Sequence, residues 1–245
     1  MTFFVGLHQP SDCRRFERSF VSINRLRTRQ SDFAVRDWTL DSGAFSELAR
    51  FGRYREGVKE YAAQIARWSR CGSLLAAVTQ DYMCEPIMLA KTGLNVARHQ
   101  RLTVEPFVAL RRLVDAAYIM PVLQGYRVPE YLRHVALYGS LLRRGAWVGV
   151  GPVCKRNTDV EAIRAILRAV RATRPDLRLH GFGLKTVALR DHEIRRMLHS
   201  ADSMAWSFHA RRHGRNPNNW REARRFVERI GAHAVPAALL TPARA

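Results

Sequence analysis

Four polar side chains offer the chemistry that this sequence could perform. Asp41, Asp81, Gln124 and Asp202 stand in the stretches LDSGAF, TQDYM, VLQGY and ADSMAWS. A carboxylate can attack the anomeric carbon of a nucleoside once the leaving base is protonated, and a second carboxylate can transfer that proton. A third can accept two N–H donors from a guanine edge, while an amide can donate to guanine O6. These residue types therefore suit base exchange at a purine nucleoside, and they suit metal-assisted chemistry equally well.

The pattern of hydrophobic residues predicts the elements that position these side chains. Short apolar runs alternate with amphipathic stretches, which is typical of βα units and a parallel sheet. The strands are predicted at 3–7, 38–45, 74–81, 119–125, 147–151, 178–183 and 203–207. The helices are predicted near 57–70, 86–100, 129–144, 158–173, 187–199 and 217–230.

Seven strands and one uncertain strand predict a compact (β/α)8 TIM-type barrel, an α/β fold in a single domain over residues 1–245. A doubly wound open sheet is the alternative. In a barrel the C-terminal ends of the strands converge on one mouth, so the four polar side chains are expected to face one pocket. Residues 8–37 are arginine-rich and irregular, and we expect a basic loop or arm there. Residues 232–245 are expected to form a last short strand or a frayed tail.

The charge of the chain predicts a nucleic-acid partner. There are 41 Lys and Arg residues against 21 Asp and Glu, a net charge of +20. All but four of the cations are arginines, and arginine binds phosphate with two N–H groups and stacks on bases. A GC-rich coding sequence would explain the preference for arginine over lysine, but it does not explain the charge imbalance.

The remaining composition narrows the class further. No apolar run reaches the roughly 18 residues that a membrane span needs, and the N-terminus lacks a signal-peptide pattern. We therefore expect a soluble cytoplasmic protein without a membrane partner. The four cysteines, Cys13, Cys71, Cys84 and Cys154, have no CxxC spacing, which argues against a paired-cysteine zinc site and favours reduced thiols.

The ordered motifs resemble the tRNA-guanine transglycosylase superfamily, and most closely its small phage branch, the DpdA-like enzymes that place 7-deazaguanines in DNA. LDSGAFS resembles the family's DSGGFQ segment, which implies that Asp41 is the general acid/base. TQDYM resembles the segment with the base-recognising aspartate, here Asp81. VLQGY resembles the QGG turn, whose glutamine binds the purine carbonyl, here Gln124.

Three further stretches extend the resemblance over most of the chain. DSMAWSFHAR resembles a run in archaeal members whose leading aspartate is the nucleophile, here Asp202, and whose arginines contact phosphates. HGFGLK is similar to a turn near the ribose, and VGVGP is similar to a turn whose backbone contacts the base. The resemblance thus implies base contacts by Gly149, Val150 and Gly151 and nucleic-acid contacts by Lys185, Arg211 and Arg212. Among the aromatic residues, Tyr82 is the preferred candidate for stacking on the base.

The resemblance implies a DNA-guanine transglycosylase with a covalent glycosyl-aspartate intermediate and a 7-deazaguanine co-substrate such as preQ0. It implies neither a metal nor another cofactor, and it implies protection of phage DNA from restriction in the host cytoplasm. The family's CxCxxC…His zinc site is missing, since no cysteine follows Cys154, and Ala44 and Tyr126 replace two glycines. A tRNA-guanine transglycosylase, a guanine N-glycosylase and a non-catalytic nucleic-acid-binding barrel remain alternatives. Whether the reaction needs an accessory protein is also left open by the sequence.

Overall fold

The computed structural model describes residues 1–152 and 159–231. Within these ranges nine strands form one parallel sheet, in the order β5-β4-β3-β2-β1-β9-β8-β7-β6. The strands are β1 (Thr2–Gly6), β2 (Arg18–Ser22), β3 (Asp37–Asp41), β4 (Ser73–Val78), β5 (Ile119–Met120), β6 (Val122–Gln124), β7 (Trp147–Gly151), β8 (Arg178–Gly181) and β9 (Ser200–Ser203).

The two ends of this order meet at Pro121, which interrupts what is otherwise one strand. Proline has no N–H to donate, so the ladder breaks there into β5 and β6. On one side Thr79 donates its N–H to the Met120 carbonyl at 3.1 Å, and on the other Gly149 donates to the Pro121 carbonyl at 2.9 Å. The segment therefore joins β4 to β7 and nearly closes the sheet into a barrel. This confirms the predicted TIM-type architecture over the open sheet.

Ten α-helices in the described residues surround the strands. They are α1 (Ala44–Phe51), α2 (Val58–Trp68), α3 (Pro86–Thr92), α4 (Val96–Leu113), α5 (Val128–Tyr138), α6 (Val160–Thr173), α7 (Thr186–Arg190), α8 (His192–Met197), α9 (Ala205–Arg212) and α10 (Trp220–Gly231). Helix α6 forms as predicted: the Asp159 side chain caps it by accepting the Ala162 N–H. Across these helices, none is both long and apolar enough to span a membrane.

Two apolar layers hold the barrel together. The larger one lies between strands and helices, where Val148, Ile163 and Leu179 are among the fully buried residues. The smaller one fills the barrel interior with Phe4, Phe20, Ala76, Val78, Met120, Val122 and Trp147. Because these side chains fill the interior, the barrel is a packed core and not a pore, and its mouth lies above them.

Residues 8–37 are not only a loop or arm, as the sequence had indicated. They contain the barrel strand β2, flanked by short 3-10 helices at Pro10–Arg15 and Ile23–Arg25. Strand β2 pairs with β1 and β3. Phe20 and Val21 are its only apolar residues and stand between two serines, after Arg18, so the apolar run was too short to recognise. Residues 232–245, predicted as a strand or frayed tail, lie outside the described residues.

Several predicted boundaries were wrong. The strand predicted at 203–207 is instead β9, Ser200–Ser203, and α9 begins at Ala205. Its sequence SADS is buried but small and polar, which hides it from a hydrophobicity pattern. The strand predicted at 38–45 ends at Asp41, and the helix predicted at 86–100 breaks at Gly93, where φ is 69°.

Candidate active site

A cavity of about 530 Å³ opens at the C-terminal ends of the strands. Such a volume lies in the range of small-molecule sites. Asp41, Asp81, Gln124 and Asp202 all line it. Asp41 ends β3, Gln124 ends β6, Asp202 lies in β9, and Asp81 follows β4. The structure therefore brings together the four side chains that the sequence placed at one mouth.

Asp202 lines the cavity, and the protein holds one of its two carboxylate oxygens. Its side chain is buried. Oδ1 accepts the Gly183 N–H at 3.0 Å and lies 3.2 Å from His180 Nε2. Oδ2 accepts no hydrogen bond from the described residues. A carboxylate held through one oxygen leaves the other available to a ligand, and this arrangement suits a nucleophile.

The environment of Asp41 raises its pKa toward neutral pH. Its Oδ2 accepts the Gly43 N–H at 3.1 Å, and the Ser22 hydroxyl, opposite it in the register of β2 and β3, also bonds the carboxylate. Burial, and then the charge of Asp202, raise the pKa of Asp41 to about 6 against these two hydrogen bonds. A pKa near the working pH suits a general acid and base.

The turn after Asp41 depends on Gly43. This residue has φ of 77°, in the left-handed region that favours glycine. A Cβ there would lie 2.4 Å from Nδ2 of Asn24, whose amide donates to the Gly43 carbonyl at 3.4 Å. Asn24 follows β2, so the missed strand also shapes the turn that carries Asp41.

Asp81 and Gln124 form a buried pair. Gln124 Nε2 donates to Asp81 Oδ2 at 2.5 Å, and the Ser42 hydroxyl donates to Asp81 Oδ1 at 3.3 Å. Burial, and then the charge of Asp41, raise the pKa of Asp81 to about 7. Gln124 Oε1 is buried with no hydrogen-bond partner among the described residues. The pair thus presents carboxylate acceptors beside an amide, the groups that complement a guanine edge.

The backbone of Gln124 is held from the helical layer. Gln100 Nε2 donates to the Gln124 carbonyl at 2.7 Å, and the Gln124 N–H donates to His134 Nδ1 at 2.8 Å. Burial lowers the pKa of His134 to about 4, which keeps the ring neutral and able to accept. A Cβ at Gly151 would lie 2.9 Å from Gln124 Nε2, so the side chain rests directly on that glycine.

The structure places only one residue of the VGVGP turn at the cavity. Gly151 lines it, whereas the described lining includes neither Gly149 nor Val150. Gly149 lies beneath the ring of Phe182, since a Cβ there would be 2.2 Å from Phe182 Cε2. Val150 is fully buried in the layer between strands and helices. Alternate residues of a strand point to opposite faces, so Val150 faces the helices, while Gly149 and Gly151 share the inner face and Phe182 covers Gly149.

Tyr82 does not line the cavity. Its N–H donates to Thr103 Oγ1, and its ring packs edge-on against Tyr54 and His99 at 5.7 and 5.5 Å between centroids. Phe45, which is 48% exposed, is an aromatic residue that does line the cavity. The alternation of residues after a strand end does not reveal which aromatic side chain turns inward.

A basic rim borders the cavity, and part of it was missed from the sequence. Arg25 Nη2 lies 3.0 Å from His8 Nδ1, and His8 Nε2 lies 2.8 Å from Ser207 Oγ. Burial, and then the charges of Arg25 and Arg211, lower the pKa of His8. Arg211, predicted from the sequence, is thus close enough to affect the pKa of His8, which lines the cavity, although Arg211 is not in the described lining. Arg25 and His8 belong to the 8–37 segment, whose abundance of arginine was the only signal.

The other two predicted nucleic-acid contacts are on the surface. Arg212 is exposed and stands over the ring of Phe208, with its guanidinium carbon 6.0 Å from the centroid. Lys185 is exposed at the start of α7, next to the Gly183 turn that binds Asp202. Neither lines the cavity in the described structure.

The fold and the cavity define a TIM-type barrel whose mouth carries three aspartates under an arginine-bearing rim. The model of the family DpdA, described as DeoxyPurine in DNA protein A, matches residues 1–223, a range that contains the nine strands. The chain belongs to this family. The match confirms the resemblance to the DpdA-like branch and supports DNA modification of the transglycosylase type. No curated protein matched the chain.

Proposed function

We propose that this protein exchanges guanine in DNA for a 7-deazaguanine, such as preQ0, through a covalent intermediate on Asp202. The observation that carries the proposal is the convergence of three carboxylates in different environments on one cavity. Among the described residues, one Asp202 oxygen accepts no hydrogen bond, burial and the charge of Asp202 raise the pKa of Asp41 to about 6, and Asp81 is paired with Gln124. Membership of the DpdA family supports DNA as the substrate.

In the first half-reaction Asp202 Oδ2 attacks C1′ of an extruded deoxyguanosine. An ester bond forms between Oδ2 and C1′ while the bond from C1′ to N9 breaks. The electron pair leaves with the base, and protonated Asp41 donates its proton to that base. Asp41 thereby becomes ionised and guanine departs as a neutral molecule.

The second half-reaction runs through the same groups in reverse. N9 of the incoming 7-deazaguanine attacks C1′, ionised Asp41 takes the N9 proton, and Asp202 leaves as a carboxylate. The cycle returns every proton to its starting place and balances without a metal or a redox cofactor.

Recognition of the base falls to Asp81 and Gln124. Asp81 accepts the N1–H and the exocyclic amine, and Gln124 donates to O6, a pattern that guanine and 7-deazaguanines share. Phe45 lines the same cavity and provides a ring face for stacking. Because the 7-position takes no part in these contacts, one site serves both the leaving and the entering base.

The rim and the net charge of +20 favour binding to the DNA backbone. Extruding a base from a duplex costs a few kcal/mol, which phosphate contacts such as those of Arg25 and Arg211 would offset. In a phage, the inserted base would alter the major-groove edge of guanine that restriction enzymes read, and would so protect the DNA in the host cytoplasm.

The proposal is tested with DNA that carries labelled guanine. Purified protein is incubated with this DNA with and without preQ0, and the DNA is digested to nucleosides for mass spectrometry. Label release together with a 7-deazaguanine deoxynucleoside supports exchange. Free guanine that accumulates without preQ0 would indicate an N-glycosylase instead, and exchange only in tRNA would indicate the tRNA branch. Binding of DNA without either product would leave a non-catalytic barrel or one that needs an accessory protein.

A further inference from the structure

A buried chain of hydrogen bonds runs across the barrel interior to the oxygen of Asp202 that the protein holds. Trp147 Nε1 donates to Ser200 Oγ at 2.7 Å, and Ser200 Oγ lies 2.9 Å from His180 Nδ1. His180 Nε2 lies 3.2 Å from Asp202 Oδ1. The four residues belong to the neighbouring strands β7, β8 and β9, so the rigid sheet sets their spacing.

The direction of these hydrogen bonds fixes the tautomer of His180. An indole N–H can only donate, so Ser200 Oγ accepts from Trp147. Ser200 Oγ keeps its own hydrogen available for His180 Nδ1, and the ionised Asp202 carboxylate, which can only accept, requires a hydrogen on Nε2. A neutral imidazole that accepts at Nδ1 carries its hydrogen on Nε2, and this N–H donates to Asp202 Oδ1.

Aromatic rings hold His180 in place. The ring stacks on Phe20 with centroids 5.7 Å apart and an interplanar angle of 13°, and Phe182 meets its edge at 4.8 Å. Phe4 closes another side at 6.3 Å, and the histidine has no solvent exposure. Water cannot replace the hydrogen bond to Asp202, and a hydrogen bond in such surroundings is stronger than one in water.

We propose that His180 is a positioning residue for the exchange reaction, acting as a fixed N–H donor that holds Asp202 Oδ1 and leaves Oδ2 directed at C1′. The inference rests on the proposed function of Asp202. His180 and the Gly183 N–H together bind Oδ1, so the carboxylate cannot rotate about its C–C bond to exchange its oxygens. The same two donors stabilise the carboxylate again when Asp202 leaves in the second half-reaction.

A matched pair of amide variants tests this role. In His180→Gln the amide nitrogen reaches the position of imidazole Nε2 and can donate to Asp202. In His180→Asn the amide reaches only the position of Nδ1, so it keeps the contact to Ser200 and leaves Asp202 without this donor. The two variants retain polar side chains in the same pocket, and thermal unfolding reports their folding.

The rate constant for covalent intermediate formation, measured under single turnover with DNA, separates the two. We expect the rate constant of His180→Asn to be roughly 10- to 100-fold below that of the wild type, because the variant loses a hydrogen bond to a charged group. Its affinity for DNA should be unchanged. His180→Gln should recover most of this loss. Equal rates for the two variants, at equal folded fractions, would overturn the positioning role and leave His180 a core residue.

A measurement that needs no activity tests the same hydrogen bonds. In protein with 15N-labelled histidine, the His180 signal is assigned by its loss in His180→Gln. The expected result at neutral pH is a protonated Nε2 and an unprotonated Nδ1, with the Nε2 shift moving in Asp202→Asn. A protonated Nδ1 would overturn the inference even if exchange occurs. The expected spectrum together with no exchange in the wild type would refute the proposed function and leave the hydrogen bonds established.

Discussion

Asp41 and Asp202 interact electrostatically across the barrel mouth, although β2 and β1 lie between their strands in the sheet. After burial, the charge of Asp202 is the largest cause of the raised pKa of Asp41. In the proposed reaction, attack on C1′ neutralises Asp202, and the pKa of Asp41 then falls. The charge that keeps the proton on Asp41 before attack therefore disappears as the proton is needed on the leaving base.

The first prediction concerns pH. Intermediate formation requires protonated Asp41, so its rate should fall as pH rises through and above the pKa of about 6. The decline should approach tenfold per pH unit, since the protonated fraction falls in that way. Single-turnover rates between neutral and mildly alkaline pH check this. A rate that increases over that range would contradict the assignment, and Asp41→Asn should lose both the rate and its pH dependence.

The second prediction concerns stability at Asp81. Its pKa is raised to about 7 in the folded protein, so the folded state binds the proton more tightly than the unfolded state does. Wild-type stability is therefore lost as pH rises through this pKa. Asp81→Asn should raise the unfolding temperature at alkaline pH by roughly 2–6 °C, and by less at acidic pH.

Asp176 provides a control, because its pKa is shifted in the opposite direction to that of Asp81. A hydrogen bond from Arg174 lowers its pKa to about 2, so its contribution is present at neutral pH and is lost only in acid. Asp176→Asn should not raise the unfolding temperature at any pH. If the Asp81 and Asp176 variants shift in parallel, the buried charge of Asp81 is not the cause.

The third prediction concerns the turn at Gly43. In Gly43→Ala the new methyl would meet Asn24 at 2.4 Å in a backbone of positive φ, which displaces the turn and the N–H that binds Asp41. We expect the exchange rate to fall roughly 10- to 100-fold. Gly93→Ala is the matched control, because Gly93 has φ of 69° and a Cβ there would meet nothing within 4 Å. It should cost about 1 kcal/mol of stability and leave the rate unchanged. Equal losses of rate would assign the effect to backbone strain alone.

The fourth prediction concerns the rim. If Arg25 contacts a DNA phosphate, Arg25→Ala should weaken binding and reduce the slope of log affinity against log salt by about 0.9. Arg70 is the control, since it is exposed, pairs with Asp32 and is absent from the described cavity lining. Fluorescence anisotropy over a salt series distinguishes the two. The same small change in both variants would show that Arg25 contributes only net charge.

The sequence predicted the barrel and the four central side chains because both depend on local signals. Strands such as β7, WVGVG, are apolar runs, and Asp41 and Gln124 directly follow such runs at the ends of their strands. Parallel strands then force those ends to one side of the sheet. Only the order of strands and polar residues along the chain is needed to predict that these side chains converge.

What the sequence concealed depends on contacts between distant segments. Strand β2 is short and polar at its ends, and its pairing with β1 and β3 establishes it. His180 begins the HGFGLK stretch, but that motif does not reveal its proposed role, which follows from its contacts to Ser200 and Asp202 on the next strand. The inward turn of Phe45 in place of Tyr82 depends on side-chain packing that no spacing encodes.

The central claim is that Asp202 forms the covalent bond to DNA, and peptide mapping tests it most directly. Protein is incubated with a guanine-containing oligonucleotide without an acceptor base, quenched in acid, digested and analysed by mass spectrometry. The account predicts a deoxyribosyl adduct on the peptide that contains Asp202, and no adduct in Asp202→Asn. An adduct on the peptide of Asp41 or Asp81, or exchange by Asp202→Asn at the wild-type rate, would contradict it.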